Sequence, residues 1–254
     1  MRITSQRKYG WIPQLPDHRD IPFMAKPEIV EALPPEVDLR GLCPPVYDQG
    51  DLGSCVLNAI AGAHEFDQMK QGYTPFMPSR LFMYFNVRVQ EHTVNSDSGA
   101  SVRDGIKTVN KKGVCPETMW GYDIAKFKVK PPHIAYKEAK KHQSLEYNSI
   151  LQHSNQMWVC LASGFPFIFG FSVYESFESD EVAKTGIVPM PSKDERVQGG
   201  HAVLCCGYSD VTGRFIVRNS WGSDWGLGGY CEMPYEYLTN ENLASDFWVI
   251  KVIE

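Results

Sequence analysis

The sequence changes character at Gly164, and that change limits what the chain can fold into more than any other feature. Ahead of it, apolar residues recur at helical spacing. From residue 55 to about 71 they fall at Val56, Ala59, Ile60, Ala63, Phe66 and Met69. Ser54 is placed to cap this helix and Gly72 to stop it. Further helices are predicted over about 79–90, 101–112, 133–141 and 148–163. Beyond Gly164, short runs rich in Phe, Ile and Val predict strands at 166–174, 201–208, 214–219, 228–233 and 247–253. Helices first and strands second describe an α+β protein with segregated halves, at about 45–160 and 161–254. A cleft between such halves is a natural place for a site.

Residues 1–32 are different again. Pro13, Pro16, Pro22 and Pro27 exclude a regular helix, so this stretch reads as an extended arm. The remaining chain, 33–254, is long enough for one large domain or two tightly packed lobes. A net charge of −5 argues against a nucleic-acid partner, which would need a basic stripe. The lysines at 126, 128, 130, 137, 140 and 141 read as a solvated face around Pro131-Pro132. No run of 18 apolar residues is present, so no membrane span is expected.

Seven cysteines, an odd number, and no apolar leader segment fit free thiols in a reducing compartment. A cytoplasmic setting is favoured, with export by a trimmed or non-classical signal left open. No CxxC pair occurs, so neither structural zinc nor any other metal or cofactor is expected. Cys205 and Cys206 are adjacent and would face opposite sides of a strand.

Three residues carry the chemistry only when taken together. Cys55 falls in the first turn of the predicted helix, where amide groups and the positive dipole end favour a thiolate. Alone it reads as a buried helix thiol. His201 follows Gly199-Gly200 at a strand start, and Asn219 opens Asn219-Ser220-Trp221-Gly222. Alone, these are a structural histidine and a turn. A thiol nucleophile, however, needs a base within hydrogen-bond reach and a third group to hold that base. Cys, His and Asn in this chain order supply all three.

With those residues in view, the chain resembles the papain family of cysteine peptidases. Asp48-Gln49-Gly50-Asp51-Leu52-Gly53-Ser54-Cys55 looks like the family's cysteine box, and Gly200-His201-Ala202-Val203 like its histidine box. Asn219-Ser220-Trp221-Gly222 and Trp225-Gly226 with Gly229-Tyr230 resemble the asparagine box and the glycine-rich strand after it. Leu33-Pro34-Pro35-Glu36-Val37-Asp38 resembles the start of the mature enzyme. The resemblance implies a two-lobe fold with the cleft between the lobes. It implies Cys55 as nucleophile, His201 as acid–base partner, Asn219 as holder of the His201 ring, and Trp221 as shield of that bond. Gln49 would donate to the oxyanion beside the Cys55 amide. Gly99 would pair with substrate backbone, and Ala202 would line the substrate cleft, with residues near Ala244 contributing to side-chain preference.

The departures are specific. The family's cysteine just before the nucleophile is Leu52 here, and its disulfide partner falls where Asp97-Ser98-Gly99 stands. The aromatic that usually follows the nucleophile is Val56. The arm is much shorter than the family's helical propeptide, and its Tyr9-Gly10-Trp11-Ile12-Pro13 cluster either crosses the cleft or packs outside a lobe. The expectation is a monomeric endopeptidase acting on peptide or protein substrates. Alternatives are an exopeptidase or isopeptidase with the same triad, a non-catalytic peptide-binding homologue, and a redox sensor built on Cys55.

Overall fold

Helix α2 (Cys55–Lys70) lies at the centre of the molecule, with every residue from Cys55 to Gln68 buried. The computed structural model describes residues 8–253, so the first seven residues of the arm lie outside the described region. In chain order the elements before α2 are α1 (Pro27–Glu31) and β1 (Glu36–Asp38). After it come α3 (Arg80–Gln90), α4 (Val102–Lys112), α5 (His133–Ala139), β2 (Ser144–Ser149) and α6 (Ser154–Ala162). The remainder is β3 (Phe167–Tyr174), α7 (Asp180–Thr185), β4 (Val197–Ser209), β5 (Arg214–Arg218), β6 (Tyr230–Pro234), α8 (Tyr235–Thr239) and β7 (Ala244–Ile253).

The strands form one antiparallel seven-stranded sheet in the order β2-β7-β3-β4-β5-β6, with β1 added to the far end of β4. β4 serves as its spine. Its first part pairs with β3, Phe171 opposite His201, and its last part with β5 and β1. One face of the sheet carries a core of Phe167, Phe169, Phe171, Phe215 and Phe247. The other face, with Ile168, Ala202, Leu204 and Trp248, packs against α2, α3 and α4. Burying apolar surface on both faces fixes the sheet in register, because a one-residue slip would turn every side chain to the wrong side.

The α+β reading holds, and the long helices and most strands lie within a few residues of their expected limits. Three readings need correction. The helix expected at 148–163 begins at Ser154, because residues 144–149 pair with β7 as an edge strand and His153 accepts from the Asn155 amide at the helix start. The sheet half therefore begins well before residue 161. The arm is not wholly extended, since Pro27 opens the short α1, where its missing N–H costs nothing. Between the arm and α2, β1 adds to β4. The short helices α7 and α8 had no periodic signal to show them. All six lysines of the 126–141 stretch are exposed, as a solvated face requires. No helix among the described residues is long and apolar enough to cross a membrane.

The arm is anchored to the sheet half by Phe23. Its ring is 4% exposed within the sheet core, its amide donates to Ser149 O at 2.7 Å, and the Ser149 amide donates back to Ile21 O at 2.9 Å. Phe23→Ala is expected to cost about 3–5 kcal/mol, as phenylalanine truncations in a packed core do. Urea unfolding of the variant checks this, and a change below 1 kcal/mol, on the order of an ordinary surface substitution, would remove Phe23 from the core.

Candidate active site

The α2 helix begins at Cys55 without a side-chain cap. Ser54 does not cap it: its Oγ instead bonds the Tyr122 hydroxyl at 2.5 Å and accepts from Asn58 Nδ2 at 3.0 Å. The first amides of the helix are thus left facing the Cys55 sulfur, where an anion gains from donors and from the helix dipole. The sulfur is fully buried, and burial pushes the thiol up to about 11. The amides of Ala202, Gly10, Val56 and Cys55 itself act against that rise. The Ala202 amide brings β4, and with it His201, to the nucleophile.

His201 Nε2 lies 2.8 Å from Asn219 Oδ1. The amide oxygen can only accept, so Nε2 carries the hydrogen and Nδ1 is the nitrogen left to exchange a proton with a thiol. Asn219 Oδ1 also accepts from the Ser220 amide at 2.8 Å, which fixes its orientation. Trp221 stacks on the His201 ring with centroids 5.0 Å apart, and Trp225 and Phe177 pack on Trp221 edge-on. These rings exclude water from the His–Asn bond, which strengthens it.

Gln49 is held from the same loop. Its Oε1 accepts from Ser220 Oγ at 2.6 Å and its own amide donates to Ser220 O at 2.9 Å. That leaves Nε2 directed at Leu52 O, 3.0 Å away, and at Lys8 O of the arm, 3.2 Å away. A carbonyl oxygen of the arm therefore already accepts from Nε2, where an oxyanion would. Cys55, His201, Asn219, Gln49, Ala202 and Trp221 are gathered in one place.

Residues 8–12 run through this place. Gly10 O accepts from the Ala100 amide at 2.8 Å, Ile12 N donates to Ala100 O at 3.1 Å, and Trp11 N donates to Gly200 O at 2.9 Å. The backbone partner is thus Ala100, while Gly99, one residue earlier, gives clearance. A Cβ on Gly99 would lie 2.2 Å from Gly10 O, and Gly99 holds φ +77°. The Trp11 ring lies so close to Gly170 that a Cβ there would be 1.9 Å from Cε2. Trp11 Nε1 donates to Asp246 Oδ2 at 2.9 Å, and the Gln14 amide donates to the same oxygen at 3.1 Å. On the other side of Gly10, Tyr9 packs against the rings of His201 and Trp221 and bonds Glu178. Of the two positions weighed for the Tyr9–Pro13 cluster, the arm takes the one across the cleft.

Several of these partners escape sequence reasoning. Ser220 lies inside the asparagine box and could have been found there. Asp246 comes from a distant segment and carries no local signal. All seven cysteines are free thiols, and six are buried, among them Cys205 in the sheet core.

The chain matches the papain family cysteine protease profile across residues 33–248. It is 45% identical over 281 aligned residues to a peptidase C1-like protein of Acanthamoeba polyphaga mimivirus, covering 98% of this chain and 88% of that one. It is 25% identical to mouse cathepsin J over 84% of this chain and 64% of that protein. Among solved structures, xylellain, a cysteine protease from Xylella fastidiosa, superposes with a TM-score of 0.91 at 44% identity, covering 98% and 97% of the two chains. Procathepsin L 3 of Tenebrio molitor shares the fold, with a TM-score of 0.73 at 18% identity over 96% of this chain and 75% of that one.

Because burial under the arm raises the Cys55 thiol, loosening the arm should lower it. Tyr9→Ala/Trp11→Ala in the full chain is expected to bring the pH midpoint of Cys55 alkylation by iodoacetamide down from about 11. The sign follows from the charge: exposure favours the thiolate, and a favoured anion has a lower pKa. A midpoint unmoved by the double substitution would mean that the arm does not bury the sulfur in solution.

Proposed function

Because the chain belongs to the papain family of cysteine proteases and is a cysteine-type peptidase, we propose that Cys55, His201, Asn219 and Gln49 are its catalytic set, acting in an endopeptidase that the arm holds closed. The observation that carries this reading is the His201–Asn219 bond of 2.8 Å under Trp221, on the strand whose Ala202 amide favours the Cys55 thiolate.

In acylation, His201 Nδ1 takes the Cys55 thiol proton as the sulfur attacks the peptide carbonyl carbon, and the carbonyl oxygen takes the negative charge. Gln49 Nε2 and the Cys55 amide stabilise that oxygen. His201 gives the proton it holds at Nδ1 to the leaving amine, and a thioester remains. Water then attacks the thioester carbonyl while His201 Nδ1 takes its proton. The acid is released and the sulfur returns to its starting state. Asn219 keeps the imidazole in the tautomer and plane that both steps need.

The arm supports the endopeptidase reading and a gating role together. Described chain lies on both sides of Cys55, Tyr9 on one and Trp11 and Ile12 on the other, so the cleft has room for a peptide that continues past the reacting bond in both directions. The arm turns the Gly10 N–H toward the sulfur and the Lys8 carbonyl oxygen toward Gln49 Nε2. All the residues assigned to the catalytic set belong to one chain, as action as a monomer requires.

A peptidyl epoxide is the direct probe. Stoichiometric labelling at Cys55 in the arm-loosened chain, abolished by His201→Ala, is the expected outcome. A folded protein that takes no label under reducing conditions would overturn the catalytic reading. Gln49→Ala is expected to reduce kcat about 10²–10³-fold, as removal of one oxyanion donor does elsewhere. Steady-state kinetics on a fluorogenic peptide checks this, and a wild-type kcat would take Gln49 out of the set.

A further inference from the structure

The two segments that the family joins by a disulfide are joined here by other means. Leu52, at one of those positions, is 1% exposed and belongs to the helical core. Asp97, at the other, extends its carboxylate back to the same loop. Gly53 N donates to Oδ1 at 3.1 Å and to Oδ2 at 3.2 Å. The Tyr84 hydroxyl donates to Oδ1 at 2.5 Å and accepts from the Gly99 amide at 3.1 Å. Lys8 Nζ reaches Oδ2 at 3.2 Å.

We propose that Asp97 is a positioning residue that clamps the loop presenting Cys55 to the loop carrying Gly99 and Ala100, in place of a covalent link. The proposal rests on Cys55 being the nucleophile. The connection runs from Gly53, two residues before Cys55, through the Asp97 carboxylate to Tyr84 and on to Gly99, next to the residue whose amide and carbonyl pair with the arm. Both sides of the slot are thereby tied to one anion. A carboxylate suits this place because it accepts from several donors at once, and charge-assisted bonds are the stronger kind. Tyr84 is fully buried, so the relay has one fixed end. The Lys8 pair adds little, because the lysine side chain is 53% exposed and an exposed ion pair is weak. The clamp therefore remains when the arm leaves.

The geometry makes a separable demand. Loss of the clamp should alter how well each folded molecule turns over, not merely how many molecules fold. Full-length chains with the arm loosened by Tyr9→Ala/Trp11→Ala, and carrying in addition Asp97→Ala, Asp97→Asn, Lys8→Ala or Leu52→Cys/Asp97→Cys, are titrated with the peptidyl epoxide to count active sites. Each is then assayed on a fluorogenic peptide. Asp97→Ala is expected to lower kcat per titrated site about tenfold to a hundredfold, the scale of a displaced reacting group. Asp97→Asn, which keeps one acceptor oxygen, should fall between it and the arm-loosened chain that keeps Asp97. Lys8→Ala should not reproduce the loss seen in Asp97→Ala, since the exposed pair contributes little. The double cysteine chain, oxidised and verified by thiol count, should recover kcat to within about threefold of the chain that keeps Asp97, because a disulfide restores the same constraint. An undiminished kcat per site in Asp97→Ala would overturn the proposal, and so would an oxidised double variant as slow as Asp97→Ala. Failure of the underlying nucleophile reading is told apart, because it appears as absent Cys55 labelling in the Tyr9→Ala/Trp11→Ala chain that keeps Asp97.

Discussion

The packing of α2 along β4 is the constraint on which the rest of the site depends. A helix buried over almost its whole length cannot rotate or slide without exposing core on one side and overpacking the other. Its N-terminal thiol is therefore fixed relative to the strand that carries His201. The seam is closed by Arg218 on β5, whose guanidinium lies over the Tyr47 ring and donates to Pro44 O and Pro45 O at 2.7 Å each. A buried cation must have its donors satisfied, and here the two proline carbonyls do so. That requirement sets the course of the loop leading to Gln49. The residue after Arg218 is Asn219, so one buried side chain ties together the approaches to the oxyanion donor and to the ring holder.

The arm uses the resulting slot as a peptide would. Its backbone finds partners at Ala100 and Gly200, its Trp11 ring lies against Gly170, and its indole nitrogen ends on Asp246. Ordering a polar, proline-rich segment costs on the order of 1–2 kcal/mol per residue in backbone entropy. The compensation is spread along the arm, from the Trp11 and Tyr9 rings in the cleft to the Phe23 ring in the sheet core. Because Phe23 is also a core residue, the arm is at once a cover for the cleft and a structural part of the sheet half.

Much of this was legible in the sequence, and the limits have physical causes. Helix α4 showed itself because it buries one face and so keeps a period, while α2, buried nearly all round, showed itself by the spacing of its larger apolar residues. The cysteine, histidine and asparagine boxes showed themselves because their residues are contiguous. Strand β2 did not, since an edge strand pairing on one side needs little apolar pattern, and Ile150 and Leu151 extended the helical spacing of α6 backward. Ser54 looked like a cap by type, yet its hydroxyl is taken by Tyr122 and Asn58. Gly99 looked like the pairing residue, while the amide and carbonyl that pair with the arm belong to Ala100. The Asp97–Tyr84–Gly99 relay joins residues from three segments, and only the fold brings them together. The missing disulfide was visible as an absence, but not what stands in its place.

The central claim is that residues 9–12 occupy the cleft as a hydrogen-bonded strand. Amide hydrogen exchange read by mass spectrometry over the segments containing Trp11, Ile12 and Ala100 tests it most directly. The account predicts that all three amides exchange slowly in the free protein, and that those of the arm become fast once a covalent peptidyl ligand on Cys55 displaces it. Arm amides that exchange at the rate of an unstructured peptide in the free protein would contradict it.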